Sequence, residues 1–329
     1  MAKRKGKRRG PEKILVIKLS AVGDFVLAIP AFERIRTYHR DAKITLLTTE
    51  AFEALARSSP FFDRVETDGR PAGPAGWLAL VLRLRSAGYD RVYDLQNSGR
   101  TKLLFHALRP SPPAWSGGAA GCSLPHRNPG RMHMHALERQ AEQLQAAGIW
   151  PDAPTKPLSA PPPDLSWILN KPPAARPIGA PNPRPVAMMV PGSSAKRPEK
   201  RWPADHYGLL AERLSKEGFD IVVIGGLQES ELAHAIQRRA PRARDLTGRT
   251  DFAQIATLAA KAALAVGNDT GPVHLIAATG TPTIVLFSSA SDPAVSGPRG
   301  HVTVFQAPDL KDVSVEAVFG AAKGLAGVA

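Results

Sequence analysis

The stretch ALAVGNDTGPVHLIAATGTPTIVLF, residues 263–287, holds a complete strand–helix–strand unit. It begins with the apolar run ALAV, continues through a loop of glycine and short polar residues, and passes into a helix-like segment at 272–279. A second apolar run, PTIVLF, follows at 282–287. Short apolar runs separated by a helix are typical of parallel strands that helices cover on both faces. The stretch therefore predicts a βαβ unit in a parallel sheet.

The same alternation of strand and helix runs through both halves of the chain, so we expect an α/β protein with two doubly wound parallel sheets. In the first half the predicted strands are ILVI (14–17), ITLL (44–47), RVET (64–67) and DRVYDL (90–95), and the predicted helices are 25–38, 76–87 and 99–109. In the second half the predicted strands are 186–190, 219–226, 263–269, 282–287 and 302–305, with helices at 204–217, 228–239, 251–261, 272–279 and 314–325.

A proline-rich segment separates the two halves. Twelve prolines fall within 151–185, and proline denies a backbone donor to helices and sheets. The length of 329 residues also exceeds the size at which a single core stops growing, about 250–300 residues. We therefore predict a basic tail at 1–13, a first Rossmann-like domain at 14–150, a linker at 151–185 and a second Rossmann-like domain at 186–329.

Basic residues are concentrated at the amino terminus. The chain has a formal net charge of +14, and six basic residues lie in MAKRKGKRRG. Such a block favours an anionic partner, either nucleic acid or the inner face of a membrane, although a solubilising tail has the same composition. No secretory signal and no bilayer-spanning apolar run is found. These features predict a cytoplasmic protein and leave open a peripheral contact with the cytoplasmic face of the inner membrane.

The loop PGSSAKRPEKRWP (191–203) follows a predicted strand and combines glycine, hydroxyl and basic residues. The hydroxyls of Ser193 and Ser194 can donate to phosphate oxygens, and Lys200 can neutralise phosphate charge. Lys200 could equally be a surface lysine, so this loop by itself is a weak indication of a phosphate site.

The loop GNDTGPVH (267–274) also follows a predicted strand. Thr270 is suited to cap a helix that begins at Pro272, which leaves the amides of Thr270 and Gly271 free to bind phosphate. The loop could instead be an ordinary turn, and His274 could be a buried structural histidine. In a third loop, GGLQESE (225–231), Glu229 or Glu231 could accept hydrogen bonds from ribose. Together the three loops predict a nucleotide diphosphate site.

A resemblance covers nearly the whole chain. The chain resembles glycosyltransferase family 9, the ADP-heptose:lipopolysaccharide heptosyltransferases and their relatives. The resemblance implies two facing Rossmann-like domains, the GT-B architecture, with the acceptor bound mainly by the first and the sugar nucleotide by the second. It also implies inverting transfer without a required metal, and the sequence has no Asp-x-Asp triplet. The motifs that establish it are IKLSAVGDFVLAIPAFERIR (17–36), DLQNSGRTKLL (94–104), PGSSAKRPEKRWP (191–203), VVIGGLQESE (222–231), DLTGRTDFAQIATLAAKAALAVGNDTGPVHLIAATGTPTIVLF (245–287) and SDPAVSGP (291–298).

The resemblance assigns roles residue by residue. It implies that Asp24 is the general base and that Lys200 assists transfer, and it implies no metal ligand and no cofactor. Lys18 lies in the amino-terminal motif, and the basic Arg100 and Arg139 suit an acceptor with carboxylates and phosphates. One departure is Asn97, where many relatives have glycine. The implied donor-binding residues are Ser193, Ser194, Lys200, Glu229, Asp269, Thr270, Gly271 and His274.

Asp24 follows a buried strand and a glycine, Gly23. Sugar transfer requires the acceptor hydroxyl to lose its proton as it attacks the anomeric carbon, and a carboxylate at the end of the strand can take that proton. A simpler role is also open, because Asp24 could cap a helix that begins near Phe25. The two roles can coexist.

The sequence thus predicts an inverting glycosyltransferase that moves a sugar, heptose from ADP-heptose by resemblance, onto an anionic glycolipid acceptor of lipopolysaccharide biosynthesis. Two other functions are compatible with the residues. A sugar-nucleotide epimerase or hydrolase would use similar phosphate loops without a large acceptor. A nucleic-acid-binding protein would use the basic tail, although the resemblance makes a nucleic-acid partner unexpected. Adenine and uracil nucleotides both fit the loops.

Overall fold

The computed structural model describes residues 10–170, 184–194 and 196–327. The basic residues of the amino-terminal tail, Lys3 to Arg9, and part of the predicted linker lie outside these ranges. The described chain divides into two compact units. The first unit comprises residues up to Ser20 together with Pro30–Arg131 and Leu137–Ser159, and the second comprises Ala21–Ile29, Met132–Ala136 and the chain from Ala160 onward.

Each unit is built on a six-stranded sheet in which all neighbouring strands pair in parallel. The strand order is β3-β2-β1-β4-β5-β6 in the first sheet and β12-β11-β10-β7-β8-β9 in the second. The predicted doubly wound α/β architecture is confirmed. The strands are β1 Lys13–Ile17, β2 Lys43–Leu47, β3 Arg64–Glu66, β4 Arg91–Asp94, β5 Ala114–Gly117, β6 Leu124–Pro125, β7 Val186–Val190, β8 Asp220–Val223, β9 Arg244–Asp245, β10 Leu264–Asn268, β11 Thr283–Phe287 and β12 Val302–Gln306.

Helices connect the strands. The α-helices are α1 Val22–Val26, α2 Ile29–Tyr38, α3 Glu53–Ser58, α4 Gly73–Ala87, α5 Gly99–Ala107, α6 Ala136–Ala146, α7 Ser166–Leu169, α8 Ala204–Lys216, α9 Ser230–Arg239, α10 Phe252–Ala259, α11 Gly271–Ala278, α12 Pro293–Ser296 and α13 Val315–Ala326. Short 3₁₀ helices occupy Glu50–Phe52, Pro129–Met132, Pro198–Lys200, Leu227–Glu229 and Leu310–Asp312.

The central strands are apolar because both of their faces are covered. All residues of β10 and β11 are buried, as are Ile14 to Ile17 of β1. Since each sheet lies between layers of helices, its central strands cannot alternate apolar and polar residues. This is the reason the sequence shows them as continuous apolar runs.

The structure differs from the sequence prediction at the first helix. The single helix predicted at 25–38 is two helices, α1 and α2, which are separated at Leu27 and Ala28. Pro30 explains the break, because proline has no N–H to donate to the carbonyl four residues earlier. It is accommodated in the first turn of α2, where no such bond is needed.

The last two strands of the first sheet, β5 and the edge strand β6, were not predicted. Strand β5 has the sequence AWSG and follows two prolines, so it does not form an apolar run. Its Trp115 is nevertheless fully buried and packs against Phe105, with ring centroids 5.3 Å apart. The aromatic side chain therefore supplies the burial that longer apolar runs supply in the other strands.

The units do not follow the linear division that the sequence predicts. Helix α1 lies between strands of the first sheet in the chain but belongs to the second unit, as does the segment Met132–Ala136. Within that segment, the buried His135 ring has its Nε2 2.8 Å from the carbonyl oxygen of Gly297. The predicted linker also contains structure, since α7 packs against α10 in the second unit.

Two glycines allow α1 to approach α11 closely. A methyl group on Gly23 would lie 2.7 Å from Cδ2 of His274, and one on Gly271 would overlap the side chain of Val22. Helices can come this close only where one of them presents no side chain at the crossing point. This crossing packs α1, and with it Asp24, against α11 of the second unit.

No helix within the described ranges is both long enough and apolar enough to cross a membrane.

We predict that Gly271→Ala lowers the melting temperature because the added methyl forces α1 away from α11, with a cost of about 1–3 kcal/mol for an overpacked contact. The matched control is Gly320→Ala in α13, where no heavy atom lies within 4 Å of the added methyl. This change should stabilise the protein by about 0.5–1 kcal/mol through helix propensity. Thermal unfolding of both variants checks the prediction, and an unchanged melting temperature for Gly271→Ala would contradict it.

Candidate functional site

The candidate site of the second unit lies where the strand order reverses. Strands β7 and β10 are neighbours, with Val190 paired to Gly267, and the chain leaves them toward opposite sides of the sheet. Loops at the carboxyl ends of such a strand pair form the usual ligand crevice of a doubly wound sheet. The loop 191–203 follows β7, and Asp269 and Thr270 follow β10.

A buried carboxamide holds these two loops together. Asn268 donates from Nδ2 to the carbonyl oxygen of Pro191 at 2.8 Å, and its Oδ1 accepts from the backbone N–H of Trp202 and the hydroxyl of Tyr207, both at 3.0 Å. Asn268 is fully buried, so losing these bonds would leave several polar groups unsatisfied. Asn268 is not among the site residues predicted from the sequence, although its place beside Asp269 after an apolar run is a usable signal.

Lys200 and Asp269 form an ion pair at the crevice, with Nζ 2.6 Å from Oδ2. The other carboxylate oxygen of Asp269 is 3.6 Å from Nε2 of His274. Burial by itself would raise the pKa of the Asp269 carboxyl, but the adjacent His274 imidazole and Lys200 ammonium outweigh it and hold that pKa well below its usual value. The cluster therefore keeps an ionised carboxylate at neutral pH.

Helix α11 begins as the sequence predicts, with Thr270 at the N-cap position and Pro272 in the first turn. The Thr270 hydroxyl makes no capping hydrogen bond. The backbone amide of Asp269 donates to Leu286, whereas the amides of Thr270 and Gly271 make no hydrogen bond within the described ranges. This helix end therefore presents two unpaired N–H groups beside the Lys200 ammonium, an arrangement that favours anions.

The serines of the loop 191–203 differ in their surroundings. Ser193 is buried, and its hydroxyl donates to the carbonyl oxygen of Arg197 and accepts from Nε of Arg201. Ser194 is exposed. In this conformation Ser193 stabilises the loop from inside, and Ser194 is the hydroxyl that faces solvent.

Glu229 is buried beside Gly192, where a methyl group on the glycine would lie 2.7 Å from Cγ of Glu229. Its Oε2 accepts from the backbone N–H of Gly226 at 2.5 Å. Glu231, the other acid proposed from the sequence, is exposed in the first turn of α9. Of the two, Glu229 therefore lies next to the loop that follows β7.

Asp24 lies in the first turn of α1 and is half-buried. Its Oδ2 accepts from the backbone N–H of Ala21 at 3.1 Å, so it does cap the helix, although α1 begins at Val22 and not near Phe25. Because α1 is fixed on α11, Asp24 belongs to the unit that contains Lys200 and Asp269. The sequence analysis had placed it in the other domain.

In the first unit, the strand order reverses between β1 and β4, and Asp94 ends β4 there. Its Oδ1 accepts from the backbone N–H groups of Gln96 and Asn97. Complete burial raises the pKa of Asp94 to about 6, and these hydrogen bonds together with the charge of Lys18 offset burial only in part. The Lys18 side chain is buried and lies 3.5 Å from the carbonyl oxygen of Leu95.

Asn97 adopts a left-handed backbone conformation, with φ of 51°. Glycine and, less readily, asparagine tolerate this conformation, which explains how Asn97 can stand where the resemblance implies glycine. The side chain adds contacts that glycine lacks, because Nδ2 donates to Gln143 Oε1 at 2.7 Å and Oδ1 accepts from the N–H of Gly118 at 2.6 Å. The Asn97 side chain therefore links the ends of β4 and β5 to helix α6.

The other two predicted acceptor residues lie on separate helices of the first unit. Arg100 is exposed in the first turn of α5, and Arg139 is half-buried on α6.

The family profile of Glycosyltransferase family 9 (heptosyltransferase) matches residues 77–311, which is more than half of the chain. The chain belongs to glycosyltransferase family 9. It is 27% identical to lipopolysaccharide heptosyltransferase 2 of Escherichia coli strain K12 over 318 residues, which cover 88% of this chain and 86% of that protein.

Two solved structures share the fold of this family 9 glycosyltransferase. The structure of E. coli ADP-heptose LPS heptosyltransferase II has a TM-score of 0.75 at 24% identity, over 95% of this chain and 98% of the other. E. coli heptosyltransferase WaaC with ADP has a TM-score of 0.72 at 21% identity, over 95% and 99% of the two chains. These similarities support the two-domain GT-B architecture that the resemblance implied.

In this glycosyltransferase, the structure brings together five of the predicted donor residues. Lys200, Asp269, Thr270, Gly271 and His274 meet at the start of α11, whereas Ser193 and Glu229 stabilise the adjoining loops. The described residues include no group of three His, Cys, Asp or Glu side chains that could hold a metal ion.

Asp94 should make the glycosyltransferase less stable as the pH rises. Its folded pKa of about 6 lies above its ordinary value of 3.8, so the folded state binds the proton more tightly than the unfolded state. Between about pH 4 and pH 6 the wild type should lose up to about 3 kcal/mol of stability, with no further loss from this group above that range. Asp94→Asn keeps an acceptor oxygen but does not titrate, so we expect its melting temperature relative to wild type to rise with pH.

Thermal unfolding from pH 4 to pH 8 checks this prediction, and Asp41→Asn at an exposed position is the matched control. The same pH dependence in Asp94→Asn and wild type would show that the carboxyl is not destabilising.

Proposed function

We propose that this protein transfers heptose from ADP-heptose to a lipopolysaccharide core acceptor, as an inverting glycosyltransferase that uses no metal ion or other cofactor. Its membership of family 9 supports heptosyl transfer, and the names of its relatives suggest the donor and the acceptor. The observation on which the proposal rests most is the Lys200–Asp269–His274 cluster at the start of α11. It supplies an ammonium and free amides where a diphosphate would need them.

The donor diphosphate would bind at the start of α11. When the bond between the anomeric carbon and the phosphate oxygen breaks, its electron pair goes to ADP, which gains negative charge. Lys200 and the amides of Thr270 and Gly271 would stabilise that charge, which is the role that a metal ion has in other transferases. Ser193 and Ser194 belong to the adjoining diphosphate loop, and Glu229 is proposed as the acid that binds ribose.

Asp24 is proposed as the general base. The acceptor hydroxyl would transfer its proton to the Asp24 carboxylate while its oxygen attacks the anomeric carbon on the face opposite ADP, which inverts the configuration. Asp24 is only half-buried, and a single hydrogen bond from Ala21 occupies one of its oxygens. The second oxygen is therefore the one proposed to receive the proton.

The acceptor is proposed to be an anionic glycolipid, with Lys18, Arg100 and Arg139 as its basic contacts in the first unit. Such an acceptor would be met at the cytoplasmic face of the inner membrane, with which the protein would make peripheral contact.

Product analysis of Asp24→Asn tests the proposed reaction. With ADP-heptose and a soluble core oligosaccharide, the wild type should form an inverted glycoside, and the variant should transfer about 10²–10⁴-fold more slowly because the base is lost. Asparagine keeps an oxygen for the Ala21 N–H, so the melting temperature and ADP affinity should stay close to wild type. Near-normal transfer by Asp24→Asn would eliminate Asp24 as the base, and free heptose without a glycoside would indicate a hydrolase.

Lys200→Ala should weaken ADP binding and slow transfer by about 10²–10³-fold, because it removes a charge aimed at the leaving diphosphate. The control is Lys196→Ala in the same loop, where the side chain is exposed and both quantities should be unchanged.

Lys200→Ala also leaves the partly buried Asp269 without its ammonium partner, so loss of stability is a second explanation for slower transfer. The double variant Lys200→Ala/Asp269→Asn separates the two effects, because it should regain the melting temperature but not the rate. A double variant that also regained the rate would show that Lys200 acts only through folding.

A further inference from the structure

Helix α4 exposes an apolar stripe on the side that faces away from the first sheet. Leu78 is 57% exposed and Leu82 is 53% exposed, and they lie one helical turn apart. Ala75 and Ala79 are exposed on the same side. The inward side of α4 packs into the core through Leu80, Val81 and Leu84. The exposed Leu78 and Leu82 are therefore not needed to pack the helix on the sheet.

Helix α5 extends this surface. Its inward residues Leu104 and Phe105 belong to the same core cluster as those of α4, so the two helices cover the same side of the sheet. On its outward side, Leu103 is 58% exposed. The ends of the two helices are tied together, because Arg85 donates to the carbonyl oxygens of Ala107 and Arg109. We call Leu78, Leu82 and Leu103, with Ala75 and Ala79, the leucine face.

Positive charge predominates around the leucine face. Neither α4 nor α5 contains an acidic residue. Arg83 is paired with Asp68 and contributes little net charge. Exposed positive charge remains on Arg85, Lys102 and Arg109. Isolated exposed leucines are common on soluble proteins, but several on one face with a mainly basic rim mark an interaction surface.

A groove adjoins the carboxyl ends of both helices, with a volume of about 550 Å³. It is lined by Arg85 and Arg109 and by the rigid segment Pro110–Pro113, and the Asp90 carboxylate in it accepts from the backbone N–H of Lys13. The groove is open to solvent and large enough for a phosphate headgroup next to the two arginines.

We propose that the leucine face is the surface by which this glycosyltransferase docks on a bilayer containing anionic lipid. Leucines that insert among headgroups, flanked by basic residues that attract their phosphates, are the features of a helix lying in the membrane interface. The absence of acidic residues on α4 and α5 favours an anionic lipid surface over a second copy of this basic chain, which would bring like charges together. The proposal deepens the proposed function, because it names the surface that would meet a lipid-linked acceptor.

The test is flotation of the full chain with vesicles of equimolar phosphatidylglycerol and phosphatidylethanolamine, without donor or acceptor. The triple variant Leu78→Gln/Leu82→Gln/Leu103→Gln should bind at least about tenfold more weakly than wild type, because three apolar side chains no longer insert. Glutamine is a good helix former, so the melting temperature should be kept. The control is Val304→Thr on β12, which removes an exposed apolar side chain from the second unit and should not alter binding.

The charge of the surface is tested separately. Lys102→Gln should weaken binding to the anionic vesicles about fivefold, with no effect on vesicles of phosphatidylcholine alone. The matched control Lys261→Gln changes an exposed lysine of the second unit and should leave binding unchanged.

Wild-type binding by the triple variant would overturn the proposal. So would a wild-type dimer in sedimentation that the triple variant converts to a monomer, because a second copy would then occupy the leucine face. The proposed function is judged independently by heptosyl transfer to a soluble acceptor, which the triple variant should retain. If the wild type bound vesicles as predicted but transferred no heptose, the proposed function would be overturned and the proposed docking surface would be supported.

Discussion

The arrangement of the candidate donor site depends on the hydrogen bonds of the buried Asn268 carboxamide. The carboxamide lies at the end of β10, and its two polar ends reach the beginning and the end of the loop that follows β7. A carboxamide can do this because it both donates and accepts, whereas aspartate at neutral pH would only accept. The position of Lys200, two residues before Trp202, follows from that anchor. Asp269 is the next residue after Asn268, so one buried side chain sets both partners of the ion pair.

The crossing of α1 and α11 is a second constraint, and it decides where the proposed base lies. Gly23 and Gly271 let the backbones approach, and the His274 ring fills the space above Gly23. The same ring contacts Asp269. His274 is therefore a buried packing residue and a member of the polar cluster at once. Through this ring, the packing of α1 and the electrostatics of the donor cluster are connected within one unit.

The sequence allowed the architecture to be predicted because buried parallel strands are continuous apolar runs, as β7, β10 and β11 are. It failed at β5 and β6, which are short and contain glycine or proline; β5 is buried mainly through Trp115, and β6 is only partly buried. Candidate donor residues could be selected from strand-to-helix loops, since topology brings such loops together. The role of Asn268 and the packing of α1 on the second unit could not be predicted, because both depend on contacts between residues far apart in the chain. The left-handed conformation of Asn97 was visible only as an unexplained departure from glycine.

The pKa values of two carboxylates at equivalent positions in the two sheets are shifted in opposite directions, one fully buried and one partly buried. Asp94 and Asp269 each lie where a strand ends beside the reversal of strand order. Burial by itself would raise the pKa of both, but the His274 imidazole and the Lys200 ammonium, whose Nζ is 2.6 Å from Oδ2, hold Asp269 ionised. Asp94 is surrounded mainly by dipolar donors, which offset burial only in part, and its pKa is about 6. Because two close side-chain partners outweigh the cost of burial at Asp269, the second unit retains an ion pair between Lys200 and Asp269. An anion that drew the Lys200 ammonium away would leave the Asp269 carboxylate without its positively charged partner, which costs free energy. The ion pair therefore favours a ligand that binds Lys200 while the ammonium stays near Asp269.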